Sequence, residues 1–242
     1  MILGLVSAKG SPGVTSTALA LAARAGEGAV MVEFDPSGGS IECWTGTPHE
    51  PGLSRVASSL RRSIDPEAVS IGIRQIPNGI AVVHAPTAGS VAESTIAAIG
   101  ERLTGAFEDV DTLVVIDAGR WCRSQLTARR IIGCDVIAIV CQPTLAGVEA
   151  ARALVDPIEA VTRQRPVLLL VGERPYTAAE VATATGVDAL GWLPWDARSL
   201  NALVANGVFR GWTKLPLGRS ANMVLLELAK RTAPAEQAGV AS

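Results

Sequence analysis

Seven short apolar runs, rich in Val, Ile and Leu, punctuate the chain at 2–6, 29–34, 80–83, 113–116, 136–140, 167–171 and, more weakly, 190–193. They are continuous rather than alternating, which means burial on both faces. Segments with helical character fall at 15–25, 91–107, 124–132, 146–162, 178–184 and 199–206, and a last one at 221–231. Strand followed by helix, repeated, predicts an α/β fold: a mostly parallel twisted sheet of about seven strands with helices on both faces. No internal repeat and no long linker interrupts the pattern. One domain is expected over 1–233, with a flexible tail over 234–242. The stretch 46–75 is less regular and reads as a helical excursion between the second and third strands. Its residues do not decide between a solvated insertion and a partner-contacting element.

The charge balance, 21 basic against 23 acidic residues in 242, excludes a global basic field for nucleic acid and an acidic disordered tail. No apolar run reaches the ~18 residues of a membrane span. Cys43, Cys122, Cys134 and Cys141 show no CxxC spacing, so neither a disulfide framework nor a zinc site is expected. Cys134 and Cys141 lie in or beside an apolar run and read as small core residues. The expected compartment is cytoplasmic. His49 and His84 are isolated and read as structural. Of the basic residues 18 are arginine and three are lysine, Lys9, Lys214 and Lys230, so a lysine at position 9 is against the composition.

That lysine opens Lys9-Gly10-Ser11-Pro12-Gly13-Val14-Thr15-Ser16, between the first strand and an alanine-rich helix. A glycine-bearing loop there turns backbone N–H groups inward and adds the positive end of the helix dipole, the means of holding phosphate. The pattern G-x-x-x-x-G-K-S/T is not met, because Ala8 stands at the first glycine and Val14 at the lysine. A Rossmann G-x-G-x-x-G is also missing after this strand.

The loop resembles the deviant Walker A motif of the MinD/ParA family of P-loop ATPases, K-G-G-x-G-K-S/T-S/T, with Lys9 matching the early lysine that defines the family. Further segments are similar in order and spacing. Val32-Glu33-Phe34-Asp35-Pro36 resembles D-x-D-P after the second strand, and Leu113-Val114-Val115-Ile116-Asp117 resembles Walker B. Val140-Cys141-Gln142-Pro143-Thr144 resembles the family's strand with a Pro-containing turn, and Leu193-Pro194-Trp195-Asp196 resembles I-P-Y/F-D. The resemblance implies a three-layer P-loop NTPase fold and the cofactors ATP and Mg²⁺. It also implies roles. Gly10, Ser11, Pro12, Gly13, Val14, Thr15 and Ser16 would cradle phosphates, and Thr15 and Asp117 would hold Mg²⁺. Asp35 would orient the attacking water, Pro194 and Asp196 would border the adenine, and Lys9 would reach the phosphates of a second subunit.

Three departures bear on activity. Val14 removes the charge that lies along the phosphates, which costs roughly 1.5–3 kcal/mol of binding. Glu33 stands at the first Asp of the switch pair, a longer carboxylate able to displace the metal or its waters. Gly172-Glu173-Arg174-Pro175 carries no match to the adenine-reading Asn. Two functions stay open: a nucleotide-dependent, dimerising switch ATPase with weak turnover, acting in positioning, partitioning or assembly, and a pseudo-ATPase scaffold. The expected partners are a second copy of the chain and an unidentified protein. Arg120, Arg123, Arg129 and Arg130 form either a solvated helix face or a basic patch for nucleic acid or a partner. The small-residue tail offers no amphipathic anchor, so direct membrane binding is not expected. An Fe–S cluster, as in the nitrogenase iron-protein branch, is not expected either, because no cysteine lies between Cys43 and Asp117. Trp121, Trp192, Trp195 and Trp212 read as core, with Trp195 also able to border a base.

Overall fold

The structure, a computed structural model, describes residues 1–9, 12–108, 110–121, 129–205 and 211–232. Eight strands form one sheet: β1 (Ile2–Ser7), β2 (Val30–Glu33), β3 (Ile73–Ile76), β4 (Ile80–Val83), β5 (Val114–Arg120), β6 (Val136–Cys141), β7 (Val167–Val171) and β8 (Ala189–Leu193). Their order is β3-β4-β2-β5-β1-β6-β7-β8, and all neighbours run parallel except β3 and β4. The expected parallel sheet is there, with one strand more than the seven read from the apolar runs.

The extra strand corrects the reading of 46–75 as purely helical. That stretch forms α3 (Leu53–Leu60) and α4 (Pro66–Ser70), after a short α2 (Ile41–Thr45), and then β3. As an edge strand β3 exposes Arg74 and Gln75, so it shows no apolar run. It returns to β4 through Pro77–Gly79, where Asn78 takes φ 69° and Gly79 takes φ 76°. An Asn-Gly pair between apolar residues is a hairpin signal, so the strand was legible there.

Side chains of β1 alternate between two cores. Ile2 and Val6 join the layer with α3, α5 (Gly89–Ile99), α6 (Arg102–Gly105) and α7 (Leu145–Thr162). Leu3 and Leu5 join the opposite layer with α1 (Val14–Ala25), α9 (Ala197–Val204) and α10 (Pro216–Thr232). Gly4 faces Cys134, whose Sγ would lie 2.9 Å from a Cβ at that position, so a small residue is required. Cys134 and Cys141 are buried as expected, and burial pushes both thiols up to about 12. The helix expected over 91–107 is broken at Gly100, whose φ of 55° and N–H bond to Ile96 end α5. Between α7 and α9 lies α8 (Ala178–Thr185), closed at its start by a Thr177–Glu180 capping box. The last helix begins earlier than expected, with Pro216 as its first residue. Most of the helix expected over 124–132, and the tail over 234–242, lie outside the described residues. Among the described residues no helix is long and apolar enough to cross a membrane.

Candidate functional site

The strand order reverses at β1, which lies between β5 and β6, so its carboxyl end opens the crevice where such sheets bind ligands. Here the chain leaves β1 and turns into α1. Gly10 and Ser11 lie outside the described residues. Gly13 supplies the turn with φ 95° and ψ 35°, a left-handed conformation that disfavours any side chain. Among the described residues no side chain caps α1, and its first turn holds no acidic residue, so the first-turn N–H groups and the positive helix end are suited to an anion.

A cleft of about 490 Å³ opens at this helix end, lined by Pro12, Gly13, Val14, Thr15 and Ser16, and by Asp35, Asp117, Gly119 and Arg120. β2 and β5 bring the acidic residues together, since Glu33 pairs with Asp117 in register. Asp117 is fully buried, and the desolvation pushes its carboxyl up to about 7. The nearby charges of Asp35 and Glu33 push the same way, while hydrogen bonds from the Thr15 hydroxyl and the Gly119 amide (3.0 Å) act against them. Asp35 accepts from the Ser37 amide at 2.8 Å. Its carboxylate lies where a Cβ on Gly119 would be, so only glycine fits there, at φ 64°. Two carboxylates and a hydroxyl are hard oxygen donors that suit Mg²⁺ held jointly with phosphates. Among the described residues no group of three His, Cys, Asp or Glu side chains would hold a metal alone.

Val14 does not enter this cleft as a polar residue would. It is 7% exposed and packs in the α1 core with Val171 and Leu193. Lys9 is exposed and opens on a separate hollow beside Gln142, Thr144 and Gly147, at the start of α7. Pro194 and Asp196 line a small apolar cavity of about 120 Å³ next to Gly13, Ser16 and Thr17. The Asp196 carboxylate is engaged as the cap of α9, accepting from the Ser199 amide at 3.0 Å and from its hydroxyl.

Glu33, expected to be able to displace the metal, has its carboxylate engaged as a buried support for the neighbouring loops. It accepts from the amides of Ser40 (2.7 Å), Ile41 (3.0 Å) and Ala85 (3.3 Å), and His84 Nδ1 lies 3.4 Å away. Glu33→Ala is therefore expected to cost about 3–5 kcal/mol, because two buried donors and a part-buried one lose their acceptor. Glu33→Gln keeps one acceptor oxygen for Ser40 and Ile41 and is expected to cost less than half as much. Urea unfolding of both variants checks this, and equal losses would contradict it.

The arginine cluster also divides. Arg130 is 1% exposed and belongs to no surface patch. Its guanidinium donates to the carbonyls of Phe34 (3.3 Å), Ala118 and Arg120 (3.1 Å), which pulls it inward. Arg129 is exposed, Arg120 is exposed at the cleft, and Arg123 lies outside the described residues. Trp121 and Trp212 are buried as core residues, but Trp192 is half-exposed and Trp195 is 66% exposed. Trp195 lines both the main cleft and the apolar cavity, together with Gly13. Trp44, which carries no motif in sequence, faces the main cleft from α2.

By sequence the chain matches no family model and no curated protein. By structure it is similar to a ParA family ATPase from Chlorobium tepidum TLS, at TM-score 0.72 and 18% identity over 94% of this chain and 98% of that one. It is also similar to MinD complexed with Mg-ADP from Pyrococcus horikoshii OT3, at TM-score 0.69 and 13% identity over 96% and 97%. An ATP complex of McdA from Cyanothece matches at TM-score 0.68 and 14% identity over 94% and 96%. These likenesses run nearly end to end at low identity, and what they establish is architecture: this chain has the α/β fold of the ParA and MinD ATPases.

Proposed function

We propose that this protein binds ATP with Mg²⁺ at the start of α1 and works as a dimerising nucleotide switch in positioning, partitioning or assembly, with slow hydrolysis. The observation that carries the proposal is the convergence, in one cleft, of an uncapped helix N-terminus with Thr15, Asp35 and Asp117. The first-turn amides would hold phosphate, Thr15 and Asp117 would hold Mg²⁺, and Asp35 would orient the attacking water. Chemistry of this kind rests on positioning and electrostatics. Lys9, exposed on the neighbouring hollow at the start of α7, would complete the site of a second copy. Trp195 would border the base. The nucleotides bound to the MinD and McdA structures of the same fold support the choice of ligand.

The burial of Val14 favours a second reading, a pseudo-ATPase scaffold that keeps the fold with weak or no nucleotide binding. Calorimetric titration with ATP and excess Mg²⁺, followed by phosphate release, separates the two. The switch reading expects binding in the micromolar to millimolar range and turnover that falls at least tenfold in Lys9→Ala. Weak binding without turnover, or no binding at millimolar ATP, removes the switch and selects the scaffold.

A further inference from the structure

A polyphosphate cleft lined by Asp35 and Asp117 needs positive charge, and Val14, committed to the core, brings none. Among the described residues that line this cleft, Arg120 carries the only positive charge. We infer that Arg120 takes over the work of the lysine that position 14 lacks, contacting the phosphates of the same subunit's nucleotide from the end of β5. The inference rests on the nucleotide-binding reading above.

The backbone is built to bring Arg120 there. Along β1 and β5, Leu5 pairs with Asp117 but Ser7 pairs with Arg120, so β5 holds one residue more than β1 across this interval. Such a bulge re-aims the side chains that follow it. Gly119, with φ 64°, takes the turn, and its missing Cβ leaves room for the Asp35 carboxylate. Ser7, the register partner of Arg120, is the last residue of β1 before the loop that leads to α1. The segment is then fixed from below, because Arg130 bonds the carbonyls on both sides of Gly119, those of Ala118 and Arg120. A buried arginine thus holds the main chain of an exposed one at the rim of the cleft. The chemistry suits the task, since a guanidinium offers a planar fork of donors that matches two phosphate oxygens.

The test is calorimetric titration of the full chain with ATP, ADP and adenosine in excess Mg²⁺, for the parent, Arg120→Gln, Arg120→Lys, and Arg120→Gln combined with Val14→Lys. Arg120→Gln is expected to weaken ATP binding about 10- to 100-fold, as loss of one charge-assisted phosphate contact does. Adenosine binding should change by less than about twofold, and Arg120→Lys should fall between parent and Arg120→Gln. Restoration of ATP affinity by Val14→Lys in the Arg120→Gln background would support the exchange of roles directly. Should the buried lysine prevent folding, the ATP-against-adenosine contrast decides alone. A parent that binds ATP while Arg120→Gln binds it as tightly overturns the role of Arg120 and leaves the nucleotide site standing. An equal loss for ATP and adenosine overturns it too, as a structural effect. A parent that binds no ATP overturns both.

Discussion

Asp117→Asn is expected to raise the melting temperature of the ligand-free protein at pH 8 and to abolish stabilisation by ATP with Mg²⁺. Burial is the main reason the Asp117 carboxyl is pushed up to about 7 from an ordinary value of 3.8. The folded chain therefore keeps this proton through a range in which the unfolded chain has already lost it. The sign follows from that difference. The stabilising contribution is complete below about pH 4 and is lost as pH rises to about 7, for a total on the order of 4 kcal/mol at most. Above pH 7 the fold carries a desolvated charge. Asparagine keeps a carbonyl oxygen for the Thr15 hydroxyl and the Gly119 amide and carries no charge, so the variant should gain on the parent between pH 5 and pH 8. A bound cation would remove the same penalty in the parent, and a variant without the carboxylate forfeits that linkage. Melting curves at both pH values, with and without ATP and Mg²⁺, check each half. A variant destabilised equally at pH 5 and pH 8 would refute the electrostatic account.

The parts of this arrangement that were legible in sequence are those set by local pattern. Ile2, Val6 and Leu3, Leu5 alternate between two cores, yet all are apolar, so β1 reads as a doubly covered strand without knowledge of its neighbours. Thr15 and Asp117 lie on different elements, but parallel pairing of β1 with β5 brings their ends together, as motif order implied. What stayed hidden depends on contacts distant in sequence. Arg120, Arg129 and Arg130 look alike as a basic cluster, and only packing separates the one that turns inward to three carbonyls from those that meet solvent. Glu33 resembles a catalytic carboxylate by position, but its partners come from the loops at Ser40 and Ala85. Trp44 has no local signal, because its place at the cleft follows from where α2 lands.

Arg130→Met is expected to cost about 3 kcal/mol or more, and its damage should centre on the cleft. Replacing a buried ion by an apolar residue is tolerated when its partners go with it. Here the partners are main-chain carbonyls, of Phe34, Ala118 and Arg120, which no substitution removes. Each loses a donor, those of Phe34 and Ala118 in a buried setting and that of Arg120 in a part-buried one, at about 1 kcal/mol or more apiece. Those carbonyls belong to the ends of β2 and β5, already tied together by the Phe34 amide and the Asp117 carbonyl at 2.8 Å. Next to them in the chain stand Asp35 and Asp117, so loosening this junction displaces both carboxylates at once. Lysine at 130 retains the charge, but a compact ammonium cannot span three carbonyls as a guanidinium fork does, and Arg130→Lys should recover less than half of the loss. Urea unfolding gives the magnitude, and amide exchange gives the location. Protection should fall first at Phe34 and Gly119, and less in the distant β7–β8 pair. An Arg130→Met variant within 1 kcal/mol of the parent, or exchange that rises evenly across the sheet, would mean that the strand ends hold themselves and that the arginine merely occupies the space.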